Sequence, residues 1–253
     1  MSSQEILTPE PGCKVCTPSL SFDFTFAYQP IVDAKNKSVF AYEALVRGTS
    51  GQGAAWVLGH VNKSNRYRFD QECRVKSILL AKRLGMSAKL SINFMPNAVY
   101  KPEMCIRTTL DAARSVGFDT TQIIFEVLES EEIQDPIKLK EIFNYYKKMG
   151  FYTAIDDFGS GYAGLTFLAD FKPDLIKIDM HLVRNINIDK TKQAIVRGII
   201  LTARELGLNI IAEGIEVLPE AEWFIAHGVH LLQGYFFAKP KFEGLVAREE
   251  IFN

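Results

Sequence analysis

Seven polar residues stand in one position relative to the apolar runs before them. Asn93 closes Ser91-Ile92-Asn93, Glu126 closes Ile123-Ile124-Phe125-Glu126, and Asp156 closes Tyr152-Thr153-Ala154-Ile155-Asp156. Lys177 follows Leu175-Ile176, Glu213 follows Asn209-Ile210-Ile211-Ala212, Gln233 follows Leu231-Leu232, and Glu43 ends Val39-Phe40-Ala41-Tyr42-Glu43. Desolvating so many polar groups in equivalent places is costly unless they converge on a common target. Gathered in one mouth, Glu43, Glu126, Asp156, Asp157 and Glu213 cannot all stay ionised without compensation, and divalent cations supply it. A donor set of carboxylates and the Asn93 amide oxygen, without Cys or His, selects hard ions such as Mg²⁺ or Mn²⁺ over zinc. Adjacent Asp156 and Asp157 can bridge two ions, and metals about 4 Å apart clamp the attacking and leaving oxygens of a phosphoryl displacement. Lys177 and Arg47 add cations suited to phosphate oxygens or to orienting the attacking water. The chemistry expected is metal-dependent phosphodiester hydrolysis. Carboxylate acid–base work on a sugar or a carboxylic acid is the bland alternative.

The elements that must position these residues repeat as a unit of amphipathic helix, apolar-Gly-apolar stop, strand and polar residue. Gly85, Gly117, Gly150 and Gly207 mark four stops and Gly228 a looser fifth, while Asp135-Pro136 and Pro219 mark helix starts. Between Asp189 and Gly207, Ile195, Ile199, Ala203 and Leu206 form a stripe expected to face the core. Strands alternating with such helices imply parallel βαβ units. An open doubly wound sheet needs polar residues only beside its switch point, whereas a closed ring brings every strand's carboxyl end to one mouth. The expected fold is therefore α/β, a TIM-like (β/α)8 barrel. Its first two strands, Phe24 to Val32 and Lys37 to Glu43, are joined by a turn too short for a crossover and should be antiparallel.

A chain of 253 residues with net charge −1 can bury one large core, and offers no electrostatic case for a nucleic acid polymer or an anionic membrane as main partner. The short basic cluster Lys63, Arg66 and Arg68 reads as a solvated face. With no span-length apolar stretch and no signal-peptide pattern, the expected location is the cytoplasm. Residues 1–20 read as a flexible N-terminal leader and 21–253 as the barrel domain. Cys13 and Cys16 have redox or half-zinc spacing, but the leader offers no partner pair. His60, His181, His227 and His230 match none of the strand ends and read as surface or packing residues.

Gly159-Ser160-Gly161-Tyr162-Ala163-Gly164 formally fits a dinucleotide-binding loop, with Asp179 at the distance of a ribose-binding acid. Asp156 and Asp157 directly before it would repel a pyrophosphate, so the glycines read instead as a mobile loop over the mouth. Asp157-Phe158-Gly159 has a kinase-like form without the accompanying kinase motifs.

Glu43-Ala44-Leu45-Val46-Arg47 resembles the signature of the EAL family of cyclic di-GMP phosphodiesterases. The resemblance continues through Tyr28-Gln29-Pro30-Ile31, Ser91-Ile92-Asn93, Phe125-Glu126-Val127-Leu128-Glu129-Ser130, Asp156-Asp157-Phe158-Gly159-Ser160-Gly161-Tyr162, Lys177-Ile178-Asp179, Ala212-Glu213-Gly214-Ile215-Glu216 and Gln233-Gly234-Tyr235-Phe236-Phe237-Ala238-Lys239-Pro240. It implies a barrel that hydrolyses cyclic di-GMP to linear pGpG with two Mg²⁺ or Mn²⁺ ions. By resemblance, Glu43, Asn93, Glu126 and Asp156 hold one ion, and Asp156, Asp157 and Glu213 the other. Lys177 contacts the nucleophilic water, Glu213 acts as base and Gln233 assists. Arg47 and the Leu45 backbone meet a phosphate, and Gln29, Asp179 and Pro240 line the nucleotide site. Glu129 and Glu216 anchor the loop of Gly159 and Gly161, and that loop and its flanking helix imply a homodimer interface. A catalytically silent cyclic di-GMP receptor, or a regulator acting through a protein partner, is the alternative. The chain departs from the family pattern at Leu128, where Thr is common. It departs again over Gly48 to Asp70, a short stretch similar to that of EAL domains found alone or joined to light-sensing modules.

Overall fold

The computed structural model describes residues 19–252 apart from 100, 130–132, 134, 162 and 163; most of the expected leader, with Cys13 and Cys16, lies outside them. Two antiparallel strands open the fold, β1 (Phe24–Asp33) and β2 (Ser38–Gly48), followed by α1 (Ala54–Leu58) and α2 (Arg66–Arg83). Then come β3 (Lys89–Asn93), α3 (Pro102–Cys105), α4 (Arg107–Val116), β4 (Ile123–Leu128), α5 (Pro136–Lys148), β5 (Tyr152–Phe158) and α6 (Gly164–Phe171). The chain finishes with β6 (Leu175–Ile178), α7 (Met180–Val183), α8 (Lys190–Leu206), β7 (Asn209–Ala212), α9 (Leu218–Ala226), β8 (Leu231–Gln233), β9 (Lys241–Phe242) and α10 (Arg248–Ile251).

Strands β2 to β8 pair in order as a parallel ladder, and β1 closes the ring by pairing antiparallel with both β8 and β2. The result is an eight-stranded barrel of mixed pairing, with β9 added outside on β1. The expected antiparallel first pair is present, turned at Asp33, whose carboxylate accepts from the Lys35 and Asn36 amides. The helix stops behave as read: Gly117 and Gly207 end α4 and α8 in the left-handed conformation that frees the last carbonyls for capping. Asp135 caps α5 by accepting from the Lys138 amide.

Two apolar layers lie between the strands and the helices around them, one under α2 to α6 and one under α7 to α9. In α8 the buried row is Val196, Ile200 and Ala203, while Ile195 and Leu206 are 47% and 48% exposed. The expected stripe holds at Ala203 and at Ile199, which packs against both layers, and is corrected at Ile195 and Leu206, because the apolar band on this helix is wider than one row and the Val196 side of it faces the barrel. Among the described residues no helix is long and apolar enough to cross a membrane.

Candidate active site

Inside the barrel, Ile31, Ala41, Ile124, Ala154, Leu175 and Ile211 form a buried apolar layer, one residue from each of six strands. Side chains alternate across a strand, so the residue two positions nearer the mouth faces the same interior. Those residues are Gln29, Glu43, Glu126, Asp156, Lys177 and Glu213, and the same step from Leu231 reaches Gln233. The mouth is thus a polar layer stacked on an apolar plug. The expectation that each residue ends its strand needs correcting for four of them, Lys177 by the single residue Ile178. β2 runs on from Glu43 to Gly48, but its parallel pairing with β3 stops at Ala44 and the rest pairs only with β1. β4 likewise continues past Glu126 to Leu128 and β5 past Asp156 to Phe158.

Lys177, 1% exposed, sits at the centre. Its Nζ lies 3.3 Å from Glu43, 3.0 Å from Glu126, 3.0 Å from Asp156 and 2.5 Å from Glu213. Gln233 Nε2 donates to Glu43 at 2.7 Å, Asn93 Nδ2 donates to the other Glu43 oxygen at 3.0 Å, and Ser91 Oγ donates to Glu126 at 2.5 Å. Gln233 Oε1 is buried without a hydrogen-bond partner. Asp157 joins this group through a backbone irregularity. The pairing of β5 with β6 slips between Ile155 and Phe158, and Asp157 takes φ 54°, which turns its carboxylate toward the cleft.

Several carboxylates around one ammonium leave excess negative charge. Burial pushes Glu126 up to about 8, with Lys177 opposing and Glu43 and Asp156 adding to the rise. Burial also raises Asp157 to about 6, helped by Asp156, and lifts Asp156 and Glu213. Glu43 goes the other way: burial would raise it, but Lys177, Gln233 and Asn93 together bring it below the usual range. Lys177, which burial alone would deprotonate, is held well above the ordinary lysine value by its carboxylates. Two groupings bring ligand oxygens within 4.8 Å of one another, Glu43 with Glu126 and Asp156, and Asp156 with Asp157 and Glu213. Asp156 belongs to both.

A cleft of about 310 Å³ opens over this layer, lined by Gln29, Glu43, Asp156, Asp157, Lys177, Glu213 and Gln233. Arg184, Met180 and Tyr235 also line it; Tyr235 lies within the resemblance motif without an assigned role, while Met180 and Arg184, in and just after the one-turn helix α7, were not anticipated. Ser91 could have been found, being two residues before Asn93 on the same strand face. Asp179 is buried and caps α7 through the His181 amide. Arg47, half-buried on β2, donates to the Val46 carbonyl. Leu45 is half-buried on the same strand, and Pro240 is half-buried beyond β8. No histidine lines the cleft.

Among the described residues Glu129 takes up the glycine loop: its carboxylate accepts from the amides of Gly159 at 2.6 Å, Gly161 at 3.2 Å and Gly164 at 2.6 Å. Amides occupied by a protein carboxylate cannot cradle a pyrophosphate, so the dinucleotide-loop reading fails here on geometry. Glu216, expected to share this anchoring, instead forms an ion pair with Arg184 of the segment after β6 and is exposed.

The EAL domain matches residues 20–240. The chain belongs to this family. Among solved structures, the cyclic di-GMP-bound form of a standalone versatile EAL protein from Vibrio cholerae O395 superposes with a TM-score of 0.88 at 52% identity, covering 90% of this chain and 97% of that one. The manganese and cyclic di-GMP complex of Klebsiella pneumoniae BlrP1 at pH 9.0 gives a TM-score of 0.83 at 35% identity, over 88% of this chain and 57% of that one. By sequence, the blue light- and temperature-regulated antirepressor BluF of Escherichia coli K12 is 31% identical over 231 residues, 91% of this chain and 57% of BluF. The probable cyclic di-GMP phosphodiesterase PdeG of the same organism is 28% identical, over 84% of this chain and 44% of PdeG. This EAL chain thus spans about half the length of these two sequence relatives.

Proposed function

We propose that this EAL protein hydrolyses cyclic di-GMP to linear pGpG with two divalent cations, Mg²⁺ or Mn²⁺. The observation that carries the reading is Asp156, shared by two carboxylate groupings that surround one lysine. The donor set fits such ions, being all oxygen, over-supplied with negative charge and carrying an unpartnered buried amide oxygen on Gln233. Glu43, Asn93, Glu126 and Asp156 would hold one cation, and Asp156, Asp157 and Glu213 the other. Bound there, the cations supply charge stabilisation of the phosphoryl oxygens and lower the pKa of water.

The chain's own residues then have defined work. Lys177 stays protonated and donates to the attacking water. Glu213, at the open side of the layer, takes the water's proton. Gln233 fixes Glu43 by donating to it and keeps its own oxygen free for the reacting groups. Arg47 and the Leu45 backbone meet a phosphate, Arg47 exchanging its bond to Val46 for a charge-assisted one. Gln29, Asp179 and Pro240 border the nucleotide. A homodimer is part of this proposal, supported by Leu165 on α6, 66% exposed beside the glycine loop. So is a cytoplasmic location, supported by the free, buried thiols of Cys73 and Cys105.

The relative named as an antirepressor favours a second reading, a receptor that binds cyclic di-GMP and acts on a regulatory partner. Incubating the purified protein with cyclic di-GMP and Mn²⁺ and separating the nucleotides decides between them. Linear pGpG establishes the enzyme; tight binding without product establishes the receptor; neither outcome sinks both.

A further inference from the structure

Glu220, the third residue of α9, is 1% exposed, and among the described residues its carboxylate makes no direct ion pair, although the Arg184 guanidinium lies within electrostatic reach. Both of its oxygens are instead committed to backbone amides from two different segments of the mouth. One accepts from Asn185 at 2.8 Å, in the segment 179–189 that follows β6. The other accepts from Glu216 at 3.0 Å and Val217 at 3.4 Å, in the segment 213–217 that follows β7.

The same two segments meet twice more. Arg184 pairs with Glu216 across the cleft rim. Gly214, at φ 65°, packs so closely that a Cβ there would lie 2.4 Å from Met180 Cβ, which leaves no room for any other residue. Glu213 begins the second segment, and its amide donates to the Ile178 carbonyl at 3.2 Å, at the end of β6 just before the first segment. Lys192 of α8 donates to the carbonyls of His181 and Arg184 at 2.5 and 2.8 Å and stiffens the first segment from outside.

We propose that Glu220 is a positioning residue that locks the segments after β6 and β7 into one rim body and so sets where Glu213 stands relative to Asp156 and Asp157. Helix capping alone does not account for it. A capping carboxylate at the third position needs only the amides at its own helix start, whereas this one also reaches Asn185, 35 residues away in sequence. It matches the clamp that Glu129 makes on the glycine loop, so each flank of the mouth has one buried carboxylate tying loop amides together. The inference rests on the metal reading above, because the consequence of misplacing Glu213 is a weakened cation grouping.

The test is titration of the intact chain with Mn²⁺ alone, followed by calorimetry, for wild type, Glu220→Ala, Glu220→Gln and Asp174→Ala. Asp174 is the control: it clamps the Thr153 amide and hydroxyl at 2.8 and 2.9 Å, but at the opposite end of the barrel. Wild type takes two ions. Glu220→Ala weakens one of them at least about 10-fold, as loss of an outer-sphere partner does, and leaves the other unchanged. Glu220→Gln, with one acceptor oxygen, falls between. Asp174→Ala moves neither ion even where it lowers Tm. Amide exchange at Asn185, Glu216 and Val217 accelerates in Glu220→Ala, a readout independent of metal. Two ions bound unchanged by Glu220→Ala, or an equal weakening in Asp174→Ala, would overturn the clamp alone. A wild-type protein that takes no Mn²⁺ would overturn the metal reading and this inference with it.

Discussion

Replacing Lys177 with Met removes the one cation buried among the mouth carboxylates while keeping a side chain of similar length. Four carboxylate groups then face each other around a site where Nζ stood 2.5 to 3.3 Å from each. Breaking a buried ion pair by deleting one partner costs roughly 3–5 kcal/mol. In a domain of this size about 1 kcal/mol moves Tm by about 2–4 °C, so the metal-free variant should melt on the order of 10 °C below wild type. The sign of the pH dependence follows from Glu126, whose folded pKa is pushed up to about 8 from an ordinary 4.5, chiefly by burial. A carboxyl raised in the folded state contributes stability that is fully present below its unfolded pKa and lost as pH rises through the folded one. Without Lys177 the opposing attraction disappears and Glu126 rises above about 8, so the variant's deficit is small near about pH 5 and still growing as pH rises to about 8. Thermal melts of both proteins across that range, in chelator and then with Mn²⁺, measure it, and added Mn²⁺ should narrow the gap by restoring positive charge. Equal melting temperatures near pH 8 in chelator, or a deficit that grows toward low pH, would refute the reasoning.

Asp156→Asn should lower kcat at least about 100-fold, because it weakens both cation groupings at once; His181→Ala, outside the cleft, should leave turnover within about twofold, as product assays will read. Mn²⁺ affinity should fall as pH drops below about 6, where Asp157 takes up a proton that the metal must displace; calorimetry should show proton release on binding, and a flat profile would count against Asp157 as a ligand. Glu129→Ala should free the amides of Gly159, Gly161 and Gly164, seen as accelerated hydrogen exchange there, and cost about 1–3 kcal/mol by leaving buried groups unpaired.

Much of this site was legible because strand alternation is a strict two-residue rule. A polar residue two positions past an inward-facing Ile124, Ala154, Leu175 or Ile211 has nowhere to go but the barrel mouth. Strand ends were less legible than strand faces, since nothing local to Glu43 announces that β2 leaves the parallel ladder one residue later and continues as a hairpin. The α8 stripe was right at Ile199 and Ala203 and wrong at Ile195 and Leu206 for a related reason: a helix with apolar residues at 195, 196, 199, 200, 201, 203 and 206 has more than one defensible face, and the barrel packed beneath it chooses.

Glu220 illustrates the residues that pattern reading misses altogether. Its helix start has Val217 where a capping box would show Ser or Thr, so the usual signature is broken, and its partner Asn185 contributes a backbone amide, which has no residue identity to read. Arg184 is hidden in the same way, and Glu216, though expected at the site, was given the wrong partner, because the two become a pair only when β6 and β7 stand side by side. The polar layer of the mouth is therefore written in strand periodicity, whereas the contacts that hold its rim exist only after closure of the ring. Substitutions that preserve every residue of the polar layer can still displace Glu213 by loosening that rim.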